Sequence, residues 1–297
     1  MNMQTVPLTP AGPVFDAETC RLFAASYPES PQKLSHRLRT NPLLSLEAIV
    51  LLAESLPEKS VHYNKGDLSI GGEGERQSSA CSIGEAIRNV ETSGSWAVLK
   101  NIEQAPEYAA LLREVLAELR PLIEQRTGRL LHIEGWIFVS SPNAVTPFHF
   151  DPEHNILMQL NGRKEMTVFP ASDTLYAADE AHEAFHTSGK YELSWSEVLA
   201  AGGETYSLAP GEALLVPVKA PHYVRNGPAP SISLSITWRS QWSFDEADAR
   251  IFNRFLRHFG FAPAPPRRWP QSNRAKAWAW RILRRLGAGE TDNPAKP

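Results

Sequence analysis

Between Leu130 and Arg239 the chain breaks into seven short runs with apolar texture. They are Leu130–Ser140, Asn155–Leu160, Lys164–Phe169, Thr205–Leu208, Ala213–Pro217, His222–Arg225 and Ile232–Arg239. Turn-forming residues separate them, among them Asn161-Gly162, Pro210-Gly211 and Asn226-Gly227-Pro228. Such runs suit strands that reverse often. They predict a closed barrel or a jelly roll of two packed sheets.

The flanking segments read as helical. Residues 43–56 form an apolar segment that stops at Pro57, because the residue before a proline disfavours the helical conformation. Ser82 and Glu85 have the spacing of a capping box, for a short helix through about Val90. Trp96–Leu99 reads as one more strand. Over 105–126, Pro106 suits a first turn, and Leu111, Leu112, Val115, Leu116, Leu119, Leu122 and Ile123 recur at helical spacing. Pro121 predicts a kink or a split there. Ser194 and Glu197 predict a small capped helix inside an insertion at 171–203. Phe244–Phe259 has helical periodicity, and a Pro-rich hinge at Ala262–Pro266 leads to a basic segment, Arg267–Leu286. Residues 1–15 read as an extended arm, 64–80 as a loop, and the last ten residues as disordered. The expectation is a mainly β fold with flanking α. Residues 1–90 form an arm and helical segment packed on the barrel, 91–240 the barrel itself, and 241–297 the C-terminal helices and basic tail.

Composition narrows the function classes. A net charge of −3 over 297 residues gives no global attraction to nucleic acid or anionic membrane. The two cysteines, Cys20 and Cys81, form no thiolate cluster, which argues against a disulfide framework or a thiolate zinc site. The start does not read as a signal peptide, and no apolar run approaches the roughly 18 residues of a membrane span. A reducing cytoplasm is the expected compartment.

Chemistry concentrates in Thr146-Pro147-Phe148-His149-Phe150-Asp151. Residues i and i+2 of a strand point to one face, so His149 and Asp151 aim at a common point. His222 lies on a later strand. Two imidazoles and one carboxylate with vacant positions form the facial set of non-haem Fe(II) oxygenases. A histidine–x–aspartate pair alone is weak, and the surrounding residues add weight. Asn161-Gly162 predicts a two-residue hairpin that pairs Leu160 with Arg163 and Gln159 with Lys164. Asn155, Leu157 and Gln159 then share a face with Lys164, Met166 and Val168. A lysine pointing into a barrel is costly unless it meets an anion.

Thr146-Pro147, His149 and Asp151, followed by Asn155, Gln159, Gly162, Lys164 and Phe169-Pro170, resemble the JmjC/cupin-like oxygenases. The resemblance is nearest to the asparaginyl-hydroxylase branch that acts on hypoxia-inducible factor. Pro210-Gly211-Glu212, Pro217, His222 and Thr237-Trp238 continue it, over roughly residues 90–240. It implies a double-stranded β-helix of cupin/JmjC type, with Fe(II) as cofactor and 2-oxoglutarate as cosubstrate. By that resemblance His149, Asp151 and His222 match the iron ligands. Lys164 and Thr146 match the residues that hold the C5 carboxylate, and Asn155 one beside the cosubstrate. Thr237 stands where that branch has an asparagine near the C1 carboxylate, which is a departure. Trp136 and Phe138 fall where the family lines its substrate pocket; a plain core role competes equally.

His154 follows the bend after Asp151 and is expected at the surface or behind the ligands, while His182 and His186 in the insertion are expected to be bystanders. The tail places Arg267, Arg268, Arg274, Lys276, Arg281, Arg284 and Arg285 beside Trp269, Trp278 and Trp280. Such a helix suits nucleic acid or a membrane surface. The preferred reading has its Trp278, Ile282 and Arg285 face packed on the barrel or on a second subunit, and the resemblance implies a homodimer through the C-terminal helices. The expected function is a hydroxylase or demethylase of a protein, peptide or small molecule. The rivals are a non-catalytic metal-binding cupin module and a metal cupin of another class. The order of the ligands and the downstream lysine disfavour the last.

Overall fold

The computed structural model describes residues 12–65, 82–92, 94–189 and 193–287. Most of the 64–80 segment and the last ten residues lie outside them. Among the described residues, eleven strands form two antiparallel sheets that face each other. The strands are β1 (Gln32–Ser35), β2 (Val61–Lys65), β3 (Ser95–Lys100), β4 (Leu130–Ser140), β5 (Val145–His149), β6 (His154–Asn161), β7 (Lys164–Val168), β8 (Glu204–Leu208), β9 (Glu212–Val216), β10 (His222–Asn226) and β11 (Ser231–Ser240). The larger sheet has the order β1-β9-β6-β11-β4-β3-β2, and the smaller β5-β10-β7-β8. The jelly-roll fold expected from the turn spacing is the fold observed.

Strand β11 shows how the sequence builds the layers. Its odd positions, Ser231, Ser233, Ser235 and Thr237, are small and hydroxylated; its even positions, Ile232, Leu234, Ile236 and Trp238, are apolar. Alternation places the two sets on opposite faces. The apolar set joins the main core, which lies between the large sheet and the helices. The helices are α1 (Ala17–Ser26), α2 (Leu46–Ser55), α3 (Ile83–Arg88), α4 (Pro106–Ala117) and α5 (Arg120–Thr127). The hydroxyl set faces the barrel, beside Leu157, Met166, Val168, Leu208, Leu214, Val216 and Val224 of the inter-sheet core.

Local signals account for most helix boundaries. Ser45 caps α2, and Ser82 with Glu85 completes the expected capping box of α3. Pro121 splits the 105–126 segment: α4 ends at Ala117 and α5 takes the proline into its first turn, where no amide hydrogen is needed. Beyond the barrel, α6 (Asp179–Ser188) lies in the insertion, and α7 (Gln241–His258) and α8 (Arg274–Arg285) close the chain.

Four expectations change. Asn161-Gly162 does not close a hairpin. β6 pairs with β11 and β9, and β7 with β10 and β8, so the turn carries the chain from one sheet to the other. Gly162 has φ 69°, and an added Cβ would lie 2.2 Å from the Pro230 carbonyl oxygen. The dipeptide specifies a sharp reversal, and strand partners are chosen by packing. In the insertion, Ser194 and Glu197 do not cap an α-helix. A 3-10 helix spans Glu197–Gly202 without a side-chain cap, and Glu197 accepts from Trp195 Nε1 instead. Of the two surfaces expected for the Trp278, Ile282 and Arg285 face of α8, the barrel is not the one it meets: α8 packs through Ala277, Trp280 and Arg281, and Asp245 and Asp248 on α7 bind Arg281. Trp278 is 68% exposed.

The fourth change is that His154 is buried rather than at the surface; as expected, it is not among the clustered metal-site donors. Its ring stacks on Trp238 and its Nε2 meets Ser240 Oγ at 3.0 Å. His36 is buried too, with Nδ1 accepting the Leu38 N–H. Burial pushes His36 down to about 4 and His154 to about 3. Both lie below the roughly 6.5 of an unfolded histidine. As pH falls below that value the unfolded chain takes up protons first, so the stability of the neutral rings is lost toward pH 4 and 3. The loss is on the order of 1.4 kcal/mol per pH unit per imidazole. The urea midpoint is therefore expected to drop between pH 7 and 4.5. A flat midpoint over that window would contradict the assignment.

Candidate metal centre

Strands β5 and β10 build the site by pairing His149 directly with His222. β5 contains Pro147, tolerated because β5 is an edge strand. The same proline hides the strand from a propensity reading. Asp151 follows just beyond the strand end. His149 Nε2 lies 3.7 Å from Asp151 Oδ1, and His222 Nε2 lies 3.7 Å from Asp151 Oδ2. One donor atom from each of the three residues lies within 4.8 Å of the others. Among the described residues this is the one group of three or more such side chains that fits a metal ion.

Backbone carbonyls orient both rings. His149 Nδ1 donates to the Pro147 carbonyl at 2.7 Å and His222 Nδ1 to the Ala220 carbonyl at 2.9 Å. A carbonyl can only accept, so each Nδ1 carries a hydrogen and each Nε2 is the ring nitrogen turned toward Asp151. Burial, with His149 alongside, pushes His222 down to about 4, so it is neutral at pH 7. Neutral imidazole is the form a metal needs.

A polar line runs from this cluster along the barrel wall. Asn155 Nδ2 donates to Asp151 Oδ2 at 3.2 Å, and Ser235 Oγ donates to Asn155 Oδ1 at 2.6 Å. Ser233, two residues along and so roughly 7 Å away, accepts from Lys164 Nζ at 2.6 Å. Lys164 is 5% exposed, and burial pushes it down to about 7. No salt bridge to it is found among the described residues. Its inward orientation follows from alternation, although the hairpin assumed for it does not exist. Thr146 sits opposite Val224 and so faces the barrel. Thr237 also faces in, opposite Asn155 and Glu134. Trp136 and Phe138 stand opposite Ser235 and Ser233 on the same face. Trp136 carries the Lys100 ammonium 5.2 Å from its ring centre, and Phe138 packs on the inter-sheet core.

Sequence reasoning missed several residues. Ser233 and Ser235 had a signal, hydroxyls at alternate positions of a strand, which marks a polar lining. Glu134 shares this inner face, and burial raises its carboxyl above the usual range. Arg239 binds Glu153 at 2.6 Å. In the insertion, His182-Glu183-Ala184-Phe185-His186 spells a metalloprotease-like string on α6. Its histidines, His182 buried and His186 half-buried, lie near the cations Lys219 and Arg250, and among the described residues no third ligand completes a metal set with them.

A family profile described as a cupin-like domain matches residues 75–244. The Drosophila melanogaster protein named Jumonji C domain-containing protein 5 is 32% identical over 120 residues, covering 38% of this chain and 29% of that protein. The Arabidopsis thaliana protein named lysine-specific demethylase JMJ30 is 30% identical over 120 residues, covering 38% of this chain and 27% of that protein. The chain thus spans under a third of the length of these curated relatives. Among solved structures, Escherichia coli ycfD superposes with a TM-score of 0.52 at 14% identity, over 90% of this chain and 67% of that one. That likeness concerns the fold. The matched profile takes in over half of the chain and every strand that carries a site residue, and the chain belongs to the cupin-like domain family.

Proposed function

We propose that the protein is an Fe(II)- and 2-oxoglutarate-dependent oxygenase, most simply a hydroxylase of a protein, peptide or small molecule. The observation that carries this reading is a pair. Two imidazole Nε2 atoms and a carboxylate converge, and a polar line from them ends on a buried lysine that donates to a serine hydroxyl. The donor set fits a divalent iron with vacant positions. The lysine fits the far carboxylate of a diacid whose near end sits at the metal.

When bound, iron and 2-oxoglutarate supply the oxidising chemistry: one atom of O₂ goes to the cosubstrate, giving succinate and CO₂, and the other to a substrate C–H bond. The chain's own residues do the positioning. His149, Asp151 and His222 would hold the metal. Asn155 steadies Asp151 Oδ2. Lys164, Ser233 and Thr146 would hold the distal carboxylate, with Thr237 toward the proximal end. Trp136 and Phe138 shield the wall from water. The demethylase name of one relative belongs to that protein, and asparaginyl hydroxylation is not carried over, because position 237 is threonine.

With Mn(II) replacing iron, 2-oxoglutarate is expected to raise the melting temperature, and only when metal is present. With Fe(II) in air, slow succinate formation is expected. If 2-oxoglutarate neither stabilises the metal-loaded protein nor is consumed, the reading fails. Stabilisation without any succinate, with or without candidate substrates, would instead mark a non-catalytic binding module.

A further inference from the structure

One short turn governs two of the three metal-site residues, and it is held from outside the barrel. Residues 217–221 join β9 to β10. The Lys219 N–H donates to the Asp151 carbonyl at 2.8 Å, and the next carbonyl, Ala220, accepts from His222 Nδ1. The Pro221 carbonyl accepts the Phe169 N–H at 2.8 Å, tying the turn to the end of β7. The turn thereby sets the backbone of Asp151 and the ring orientation of His222.

Lysine is an expensive choice at its centre. Lys219 has φ 61°, in the left-handed region that glycine occupies without strain. It is also 1% exposed, so its ammonium is removed from water. A glycine would serve the turn alone, so what lysine adds must come from its side chain. That side chain reaches α7 and bonds Glu246. Glu246 is also bound by Arg250 one helical turn on, and Arg250 reaches Asp179 in the first turn of α6 at 2.9 Å. Helix α6 braces the other side of the site. Phe150, the residue between His149 and Asp151, packs on His182 and Phe185 with ring centres 4.4 and 5.5 Å away.

We infer that Lys219 is a positioning residue for the metal site: its bond to Glu246 anchors the 217–221 turn to α7 and so holds Asp151 and His222 in register. This rests on the metal-site reading above. It gives α7 a role in the site, through the Lys219–Glu246 pair and the Arg250 guanidinium that holds Glu246.

Co(II) titration of the full-length apo-protein tests it, with the visible spectrum reporting ligand geometry. Lys219→Met keeps the side-chain length and the turn's demand for positive φ but removes the anchor. Its Co(II) affinity is expected to fall about 10- to 100-fold, as for other groups that orient metal ligands, with a changed spectrum. Glu246→Gln, made from the other end, is expected to do the same and decides the question if Lys219→Met does not fold. Arg257→Gln breaks α6–α7 ion pairs to Glu180 and Glu183 without touching the turn. It is expected to lower the melting temperature and leave Co(II) affinity unchanged. Wild-type affinity and spectrum in folded Lys219→Met or Glu246→Gln would overturn the inference, as would an equal loss in Arg257→Gln. A wild-type protein that binds no Co(II) would instead sink the metal site itself.

Discussion

His149→Ala is expected to abolish metal binding and metal-dependent turnover of 2-oxoglutarate together. The reason is geometric. His149 and His222 are directly opposed across a strand pair, and Asp151 lies 3.7 Å from each. Removing one imidazole leaves a two-donor set that loses the facial arrangement. Groups that merely orient a ligand cost 10- to 100-fold in affinity, so loss of a ligand should exceed about 100-fold. The fold should survive, because His149 is only partly buried and sits on an edge strand. Equilibrium binding of Mn(II) or Co(II), with circular dichroism as a check on folding, decides it. Retention of wild-type metal affinity in a folded His149→Ala protein would remove His149 from the site.

Lys164→Met is expected to raise the 2-oxoglutarate requirement on the order of 100-fold while leaving metal affinity nearly unchanged. Truncating one partner of a buried charge pair costs roughly 2–5 kcal/mol, and each 1.4 kcal/mol is about tenfold. The same substitution should not destabilise the protein without cosubstrate. Before an anion arrives, the Lys164 amine is buried and donates to the Ser233 hydroxyl, and burial has already pushed it down to about 7. Replacing a buried, poorly compensated charge by an apolar side chain of similar length is often neutral or stabilising. A rise in the 2-oxoglutarate requirement together with an unchanged or higher melting temperature would therefore mark a binding residue. An unchanged requirement would show that the diacid lies elsewhere.

Much of the site was legible before any coordinates. The spacing of His149 and Asp151 follows from the two-residue period of a strand, and the inward face of Lys164 follows from its alternation with Met166 and Val168. The jelly roll was legible because its strands are short and its turns carry Gly, Pro and Asn. His222 was harder. Nothing local distinguishes it from other histidines, and its choice leaned on family resemblance. Helix α6 escaped notice because its buried residues include Ala181, His182, Glu183 and Ala184 rather than a stripe of large apolar side chains. Ion pairs to α7 and the ring of Phe150 hold it instead.

Periods and turns are local properties, so the residue string by itself determined eight of the eleven strands, where the chain reverses, and which side chains share a face, while the short edge strands β1, β2 and β5 escaped it. Partner choice is not local. Only the folded molecule decided that Asn161-Gly162 crosses between sheets, that His154 stacks in the core, and that α8 turns Trp280 inward and Trp278 out. It also decided that a lysine far from the ligands in sequence braces them. Each of these outcomes was set by contacts between residues distant in the chain, where burial of apolar surface and pairing of buried charge outweigh the preferences of any short segment.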